Sequence, residues 1–229
     1  DVGGKMHTGR SRNDMFNSLA RMEYRAYIID FALNVCELME GLLAKCKDNM
    51  DVVMPGYTHH DQHAQPTTMG HYMLWAYDVF RRDLDRALHA YQNMNQSTMG
   101  GAALCGTGFP VNRQRMADLL GFDKFIEHTI DATSSKDNYL EMASTFCIYL
   151  ANLVRLSELM LIWNVREIDM IRMDRKYCSY SSIMPQKNNP IGLEAIRGAY
   201  EVCAGQFAGM FTTLKGTVPG NGREPSYLG

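Results

Sequence analysis

The chain has 229 residues, 46% of them hydrophobic, with 23 Lys and Arg against 25 Asp and Glu and a formal net charge of −2. That length suits one large domain or a domain with an appendage. The balanced charge offers neither the basic stripe of a nucleic-acid binder nor the polybasic run of a membrane-surface protein. Six scattered cysteines form no CxxC and no Cys/His metal spacing, which favours a reducing, cytoplasmic setting. No apolar run approaches the roughly 18 residues of a membrane span.

Asp1-Val2-Gly3-Gly4 and Leu228-Gly229 both read as interior sequence. The expectation is that residues 1–229 are the central helical-bundle domain of a longer protein, with loop insertions. N- and C-terminal domains would lie outside it.

In chain order, residues 3–14 make a polar, Gly-rich approach to a helix. Within Ser11-Arg12-Asn13-Asp14, Asn13 or Asp14 is the expected cap at a solvated helix start. The helix runs to about residue 45, with Leu19, Met22, Ala26, Ile29, Leu33, Cys36 and Met39 on one face. At a rise of about 1.5 Å per residue it spans about 45 Å, which suggests a bundle extended by partner subunits. Met54-Pro55-Gly56-Tyr57 marks a turn. His59, His60 and His63 follow within five residues. Their composition alone permits a metal site, but no second group of Cys, His or carboxylates has the spacing to complete a shell, so no metal is expected.

A second long helix covers 67–95, carrying Tyr72, Trp75, Val79, Leu84, Leu88 and Tyr91; its stretch 81–86 reads as a solvated, salt-bridged face. Residues 96–110 form a loop with Gly100, Gly101, Gly106 and Gly108, suited to hold an anion on backbone N–H groups. It lacks the nucleotide-loop pattern. A short helix fits 113–120. Residues 131–137 offer caps for a third long helix, 136–165, with Leu140, Ala143, Phe146, Leu150, Val154, Ser157 and Leu161 on one face. A shorter helix is expected around 168–175. The last long helix, 191–214, has Ile196, Tyr200, Cys203, Phe207, Met210 and Leu214 in register, with Gly205 and Gly209 open to a close neighbour. No strand alternation of useful length appears. The fold class is all-α, and the 17 methionines read mostly as gap-filling core.

Between the last two long helices, residues 180–190 concentrate groups that helices tolerate poorly: Ser181, Ser182, Pro185, Lys187, Asn188, Asn189 and Pro190. This stretch resembles the signature loop of the fumarase/aspartase superfamily, Gly-Ser-Ser-x-Met-Pro-x-Lys-x-Asn-Pro, with Tyr180 where the family usually has Gly. Within that superfamily the likeness is to the argininosuccinate lyase family. His7 to Asp14 match its His-Thr-Gly-Arg-Ser-Arg-Asn-Asp throughout. Met54 to Thr58 and Ala64-Gln65-Pro66 match a second region, and Met184 to Lys187 a third.

The resemblance implies a long-helix bundle that assembles as a homotetramer, with each active site drawing its three regions from different subunits. It implies elimination from an N-substituted aspartate to give fumarate and an amine, with argininosuccinate and arginine the default pair and arginine biosynthesis the setting. No cofactor is implied, and the partner is a small molecule rather than nucleic acid or membrane. Ser181 would be the proton-abstracting base. Lys187 and Asn189 would face the reacting carboxylate. Ser11, Arg12, Asn13, Thr58 and Gln65 would bind substrate. A histidine, partnered by Glu194, would manage the proton on the leaving nitrogen. Counting from Thr58 makes that histidine His59, and counting back from Gln62 makes it His60; the Thr-His pairing favours His59.

The chain departs from the family after Lys215-Gly216, where Thr217 to Pro225 replace a segment that holds the guanidinium half. This opens another aminosuccinate adduct, such as ethylenediamine-disuccinate, as the alternative substrate. A non-catalytic, crystallin-like oligomer is the alternative from another class.

Overall fold

Apolar residues spaced by three and four become long helices joined by turns that carry the polar motifs. A computed structural model of the protein describes residues 2–59, 62–216 and 218–220. A 3-10 turn at Gly3–His7 leads into α1 (Arg12–Asp48). Then come β1 (Val53–Thr58), β2 (Gln62–Thr68), α2 (Met69–Met94) and β3 (Gln96–Ser97). They are followed by α3 (Arg113–Leu119), β4 (Lys124–Phe125), α4 (Thr129–Ser134) and α5 (Asp137–Trp163). A 3-10 turn at Arg175–Tyr177, β5 (Ser179–Tyr180), β6 (Asn188–Asn189) and α6 (Ile191–Leu214) complete the order. The strands pair only two by two, as β1–β2, β3–β4 and β5–β6. The fold is all-α, as expected. It divides into two units, one of Asp1–Asn34, Asp85–Ser144 and Ala208–Gly229, the other of Val35–Leu84 and Thr145–Phe207.

The first unit is built around a buried carboxylate. Asp14 has no exposed surface. Its Oδ1 accepts from the Ser11 N–H at 3.0 Å, and its Oδ2 accepts from Gly100 N–H at 3.1 Å and Ala102 N–H at 2.9 Å. Ser11 Oγ accepts from Asn13 N–H at 3.3 Å. Ser11 and Asp14 thus form a reciprocal capping box, so the cap is Ser11 rather than Asn13 or Asp14. The Gly-rich loop does hold an anion on its N–H groups, and that anion is the protein's own Asp14. Gly100 and Ala102 stand at φ +84° and +51°, the left-handed alternation that turns successive N–H groups to one side. A Cβ on Gly100 would lie 2.7 Å from Arg113 Cγ. Arg113 seals the loop from behind by donating Nε–H to Met99 O, and further N–H groups to Glu127 O and Ile126 O.

More polar groups line the same side of α1. Ser18 Oγ lies 2.8 Å from Thr98 Oγ1, which donates to Asp14 O at 2.7 Å. Asn17 donates to Thr133 O and accepts from Lys136 Nζ. Arg21, 3% exposed, donates to Asn93 O, Ser135 Oγ and Asn138 Oδ1. Burial pulls the Arg21 guanidinium below its ordinary value, against the pull of Tyr139, Asp137 and Asp131 upward. The buried side of α1 therefore runs through Asp14, Asn17, Ser18, Arg21, Ile28, Val35, Met39 and Leu42. The expected apolar face fails in part: Leu19, Ile29 and Leu33 are exposed.

In the second unit Met54, Met69 and Trp163 form a core with Tyr72, Met160 and Met170 against it. The Tyr72 and Trp163 rings meet edge to face at 5.0 Å. Asp83 is fully buried, with both carboxylate oxygens accepting from Asn152 Nδ2, which corrects the reading of 81–86 as wholly solvated. β1 and β2 correct the expectation of no useful strand. Alternation was absent because β2 is mostly exposed on both faces and its ladder rests on backbone groups. The helix expected at 168–175 does not form. Asp169 adopts φ +48°, Met170 and Ile171 donate back to Trp163 O, and Met173 N–H goes to Asn164 Oδ1.

α5 is long and apolar enough by length and composition to meet the membrane-span criterion, which corrects the expectation that no segment does. Its polar groups are engaged within the protein: Asn152 on Asp83, and Glu158 2.7 Å from Arg197 of α6. Buried positions of α5 include Asn138, Tyr139, Met142, Thr145, Leu156 and Trp163, none of them on the expected face, of which Ser157 alone is buried. On α6 the expected face is the more covered one, ending at buried Leu214, while no atom comes within 4 Å of a Cβ built on Gly205 or Gly209.

Two outcomes follow. Asp14→Ala leaves three N–H groups without their acceptor and should lower the unfolding free energy by roughly 3 kcal/mol or more, read by urea denaturation. A loss under about 0.5 kcal/mol would contradict the cradle. Cys147 Sγ lies 3.1 Å from Cys203 Sγ, and burial first, then the hydrogen bond to Cys203, push the Cys147 thiol up to about 12. Exposed Cys105 should therefore alkylate well before Cys147 at mildly alkaline pH, with Cys147 reacting only as pH nears that value. Peptide mapping by mass spectrometry would contradict this by finding equal rates.

Candidate active site

Three polar regions carry the residues singled out by the sequence. The first, in the first unit, is the capped start of α1. Arg12 is exposed at the first helical position, and Ser11 and Asn13 are half-buried. The Asn13 amide donates to Ala103 O at 2.8 Å, so it anchors the Gly-rich loop. A helix N-terminus with Ser11 and Arg12 on it offers donors to an anion. The cradle of Asp14 holds these groups in place.

The second region is the β1–β2 hairpin of the second unit. Tyr57 pairs with His63 and Thr58 with Gln62, the last described pair of the ladder. His59 follows Thr58 and is exposed, at φ +47°. His60 lies outside the described residues. Pro55 pairs with Pro66 and Tyr57 with His63, which sets Ala64 and Gln65 opposite Gly56 as a bulge. A side chain on Gly56 would meet Gln65 O at 2.8 Å, so only Gly permits the approach. Tyr57 N–H donates to Tyr72 Oη at 3.3 Å. Thr58 and Gln65 line a cleft of about 500 Å³ with Tyr57, His71, Tyr72 and Trp75. His71 went unnoticed in the sequence. Its Nδ1 lies 2.9 Å from Thr67 Oγ1 and its N–H donates to Thr68 Oγ1, which caps α2. The signal available was its place three residues after Thr68.

The third region is the loop 181–187. β5 and β6 close it, pairing Ser179 with Asn189 and Tyr180 with Asn188. Ser181 follows β5 and Lys187 precedes β6, so the two flank the ends of the loop that this ladder closes. Ser181 Oγ accepts from Met184 N–H at 3.2 Å, and Lys187 N–H donates to Met184 O at 3.0 Å. Tyr180 lies in this extended ladder with no positive φ, so it bears no backbone strain in the position where the family has Gly. Tyr180 is 64% exposed. Glu194 stands exposed in the first turn of α6, its N–H donating to Pro190 O at 3.2 Å.

Within the second unit Thr58 and Gln65 thus line one cleft, and Ser181 and Lys187 flank the loop that β5 and β6 close. Among the described residues no hydrogen bond or ion pair joins His59 to Glu194. Thr217 and residues 221–229, which carry most of the altered tail, lie outside the described residues. Among the described residues no group of three or more His, Cys, Asp and Glu is arranged to hold a metal.

A family described as Lyase matches residues 1–205. Argininosuccinate lyase of Methanosarcina barkeri is 41% identical over 216 residues, covering 94% of this chain and 44% of that protein. A crystal structure of EDDS lyase in complex with formate superposes with a TM-score of 0.95 at 35% identity, over 98% of this chain and 45% of the other. Class II fumarase from Schistosoma mansoni, 21% identical, shares the fold at a TM-score of 0.80 over 96% of this chain and 51% of its own. The chain spans less than half the length of the first two. It belongs to the lyase family of the fumarase/aspartase superfamily, as an argininosuccinate lyase-like member.

Proposed function

We propose that the protein cleaves an N-substituted aspartate to fumarate and an amine, with argininosuccinate as substrate and arginine as co-product. The observation that carries this reading is the closed loop 181–187, in which the Met184 N–H is donated to Ser181 Oγ and the Lys187 N–H to Met184 O. A serine hydroxyl is far too weak an acid to act as a base unaided. The Met184 N–H and the Lys187 ammonium both favour its alkoxide.

In the proposed reaction Ser181 takes a proton from the carbon beside a succinyl carboxylate. The electron pair left behind spreads into that carboxylate, giving a dianionic aci-form. Lys187 and Asn189 meet this charge as a fixed cation and an amide donor. The pair then re-forms as the carbon–carbon double bond of fumarate while the carbon–nitrogen bond breaks. His59, or His60, supplies the proton to the leaving nitrogen, with Glu194 orienting the imidazole. Ser11, Arg12, Asn13, Thr58 and Gln65 bind the substrate, Arg12 through a two-pronged grip on carboxylate. Three regions on separate helix ends suit a homotetramer with composite sites, working in the cytoplasm without a cofactor.

A second reading has its own support. The likeness to EDDS lyase supports another aminosuccinate adduct, ethylenediamine-disuccinate, as the alternative substrate.

Fumarate release, followed by ultraviolet absorbance of the full-length protein with each substrate, separates the readings. Turnover of neither sinks both. Ser181→Ala should lower kcat by about 100-fold or more with whichever substrate is turned over. Full activity in that variant would refute the base assignment.

A further inference from the structure

Within the second unit α5 and α6 meet at two sulfurs. Cys147 Sγ lies 3.1 Å from Cys203 Sγ, and the Cys147 thiol also reaches Cys203 O at 3.6 Å. The two residues stand 56 apart in sequence and belong to the same unit. A disulfide has an S–S separation of about 2.05 Å, so the sulfurs have only about 1 Å left to close. Further along the two helices, Arg197 Nε lies 2.7 Å from Glu158 Oε1. That ion pair holds α5 against α6 without help from the thiols.

Two cysteines packed as small hydrophobes would account for a sealed helix contact. This contact is not sealed. Both cysteines are half-buried, and their chain neighbours Ile148 and Val202 are 40% and 62% exposed. A small oxidant can therefore reach the sulfurs. The Cys147 thiol is pushed up to about 12, by burial first and then by the hydrogen bond and charge of Cys203. Cys203 is thus the sulfur that meets an oxidant first. Once Cys203 is oxidised, its thiol hydrogen bond and its charge no longer hold Cys147 back.

We propose that Cys147 and Cys203 form a redox-modification site, at which a hydroperoxide converts the two thiols to a disulfide that staples α5 to α6. Cys203 Sγ attacks one peroxide oxygen, the O–O bond breaks, and an alcohol or water leaves with a proton. Cys203 is then a sulfenic acid. Cys147 Sγ attacks that sulfur, the S–S bond forms, and the S–O bond breaks to release water. Two thiols are oxidised by two electrons and one hydroperoxide is reduced by two. In a reducing compartment the pair rests as thiols, and a dithiol reductant restores it after oxidation. The covalent ring closed by the staple runs from residue 147 to 203 and contains loop 181–187 and Glu194. The inference stands apart from the lyase reading, since no substrate takes part.

The test treats the full-length, folded protein with hydrogen peroxide, alkylates the remaining thiols under denaturing conditions, and maps peptides by mass spectrometry without reduction. The expected product is one cross-linked pair of peptides, carrying Cys147 and Cys203 and lighter than their sum by two hydrogens. Dithiothreitol should return both to alkylatable thiols. Exposed Cys105 serves as the internal control for oxidant. Oxidation of Cys105 with Cys147 and Cys203 both still alkylatable overturns the inference. So does their conversion to sulfinic or sulfonic acid without a cross-link, or a disulfide from either one to another cysteine. Cys147→Ser tests the order of attack. With no resolving thiol, Cys203 in that variant should accumulate as sulfenic acid and be captured by dimedone, whereas the unaltered protein should show little capture there. Absence of the adduct in a variant that remains folded would contradict Cys203 as the first sulfur oxidised.

Discussion

The buried carboxylate of Asp14 is the constraint on which the first unit depends. An ionised group with no exposed surface is tolerated only where its oxygens are fully met. Three backbone N–H groups do this, one from its own helix start and two from a loop more than eighty residues away. The requirement runs both ways. Gly100 and Ala102 adopt left-handed backbone that an unconstrained loop would not hold, and they do so around an acceptor. Arg113 then ties the back of the loop to carbonyls beyond β4, so the end of α1, the loop and the α3 region form one hydrogen-bonded block. Ser11, Arg12 and Asn13 are placed by this block. A structural carboxylate thus positions the residues for which substrate binding is proposed.

The second unit solves a different problem. Its proposed reacting groups lie on turns that long helices bring to their ends, and short ladders pin those turns. A two-residue ladder closes loop 181–187, and a bulged hairpin carries Thr58, His59 and Gln65. Such ladders hold the ends of the turns in place. The exposed side chains of Lys187, Glu194 and His59 in a single chain suit a site completed by other copies.

Much of this was legible in the sequence, and the exceptions share a cause. Helix identity followed from spacing, and the face of α6 was read correctly because its buried side is apolar. On α1 the same rule chose the wrong side in part, since Asp14, Asn17, Ser18 and Arg21 are buried by specific partners that lie seventy or more residues away. Asp83 misled in the same way, its partner Asn152 being remote. The hairpin escaped notice because backbone pairing without a buried face leaves no alternation. The loop 164–174 looked helical until a left-handed Asp169 and the side chain of Asn164 diverted its N–H groups. The motif residues were visible as types and order. Their contacts, such as the Met184 N–H on Ser181 Oγ, required the structure.

The proposed fumarate-forming site is assembled from the α1 start, the hairpin and the closed loop of different copies. Mixing two full-length variants tests it most directly. One carries Ser181→Ala, and the other replaces both His59 and His60 by Asn. Each alone should release almost no fumarate. After subunit exchange, the mixed oligomer should regain measurable fumarate release, because some sites then draw every intact region from one copy or another. A mixed oligomer that has demonstrably exchanged subunits and still releases none would contradict the account.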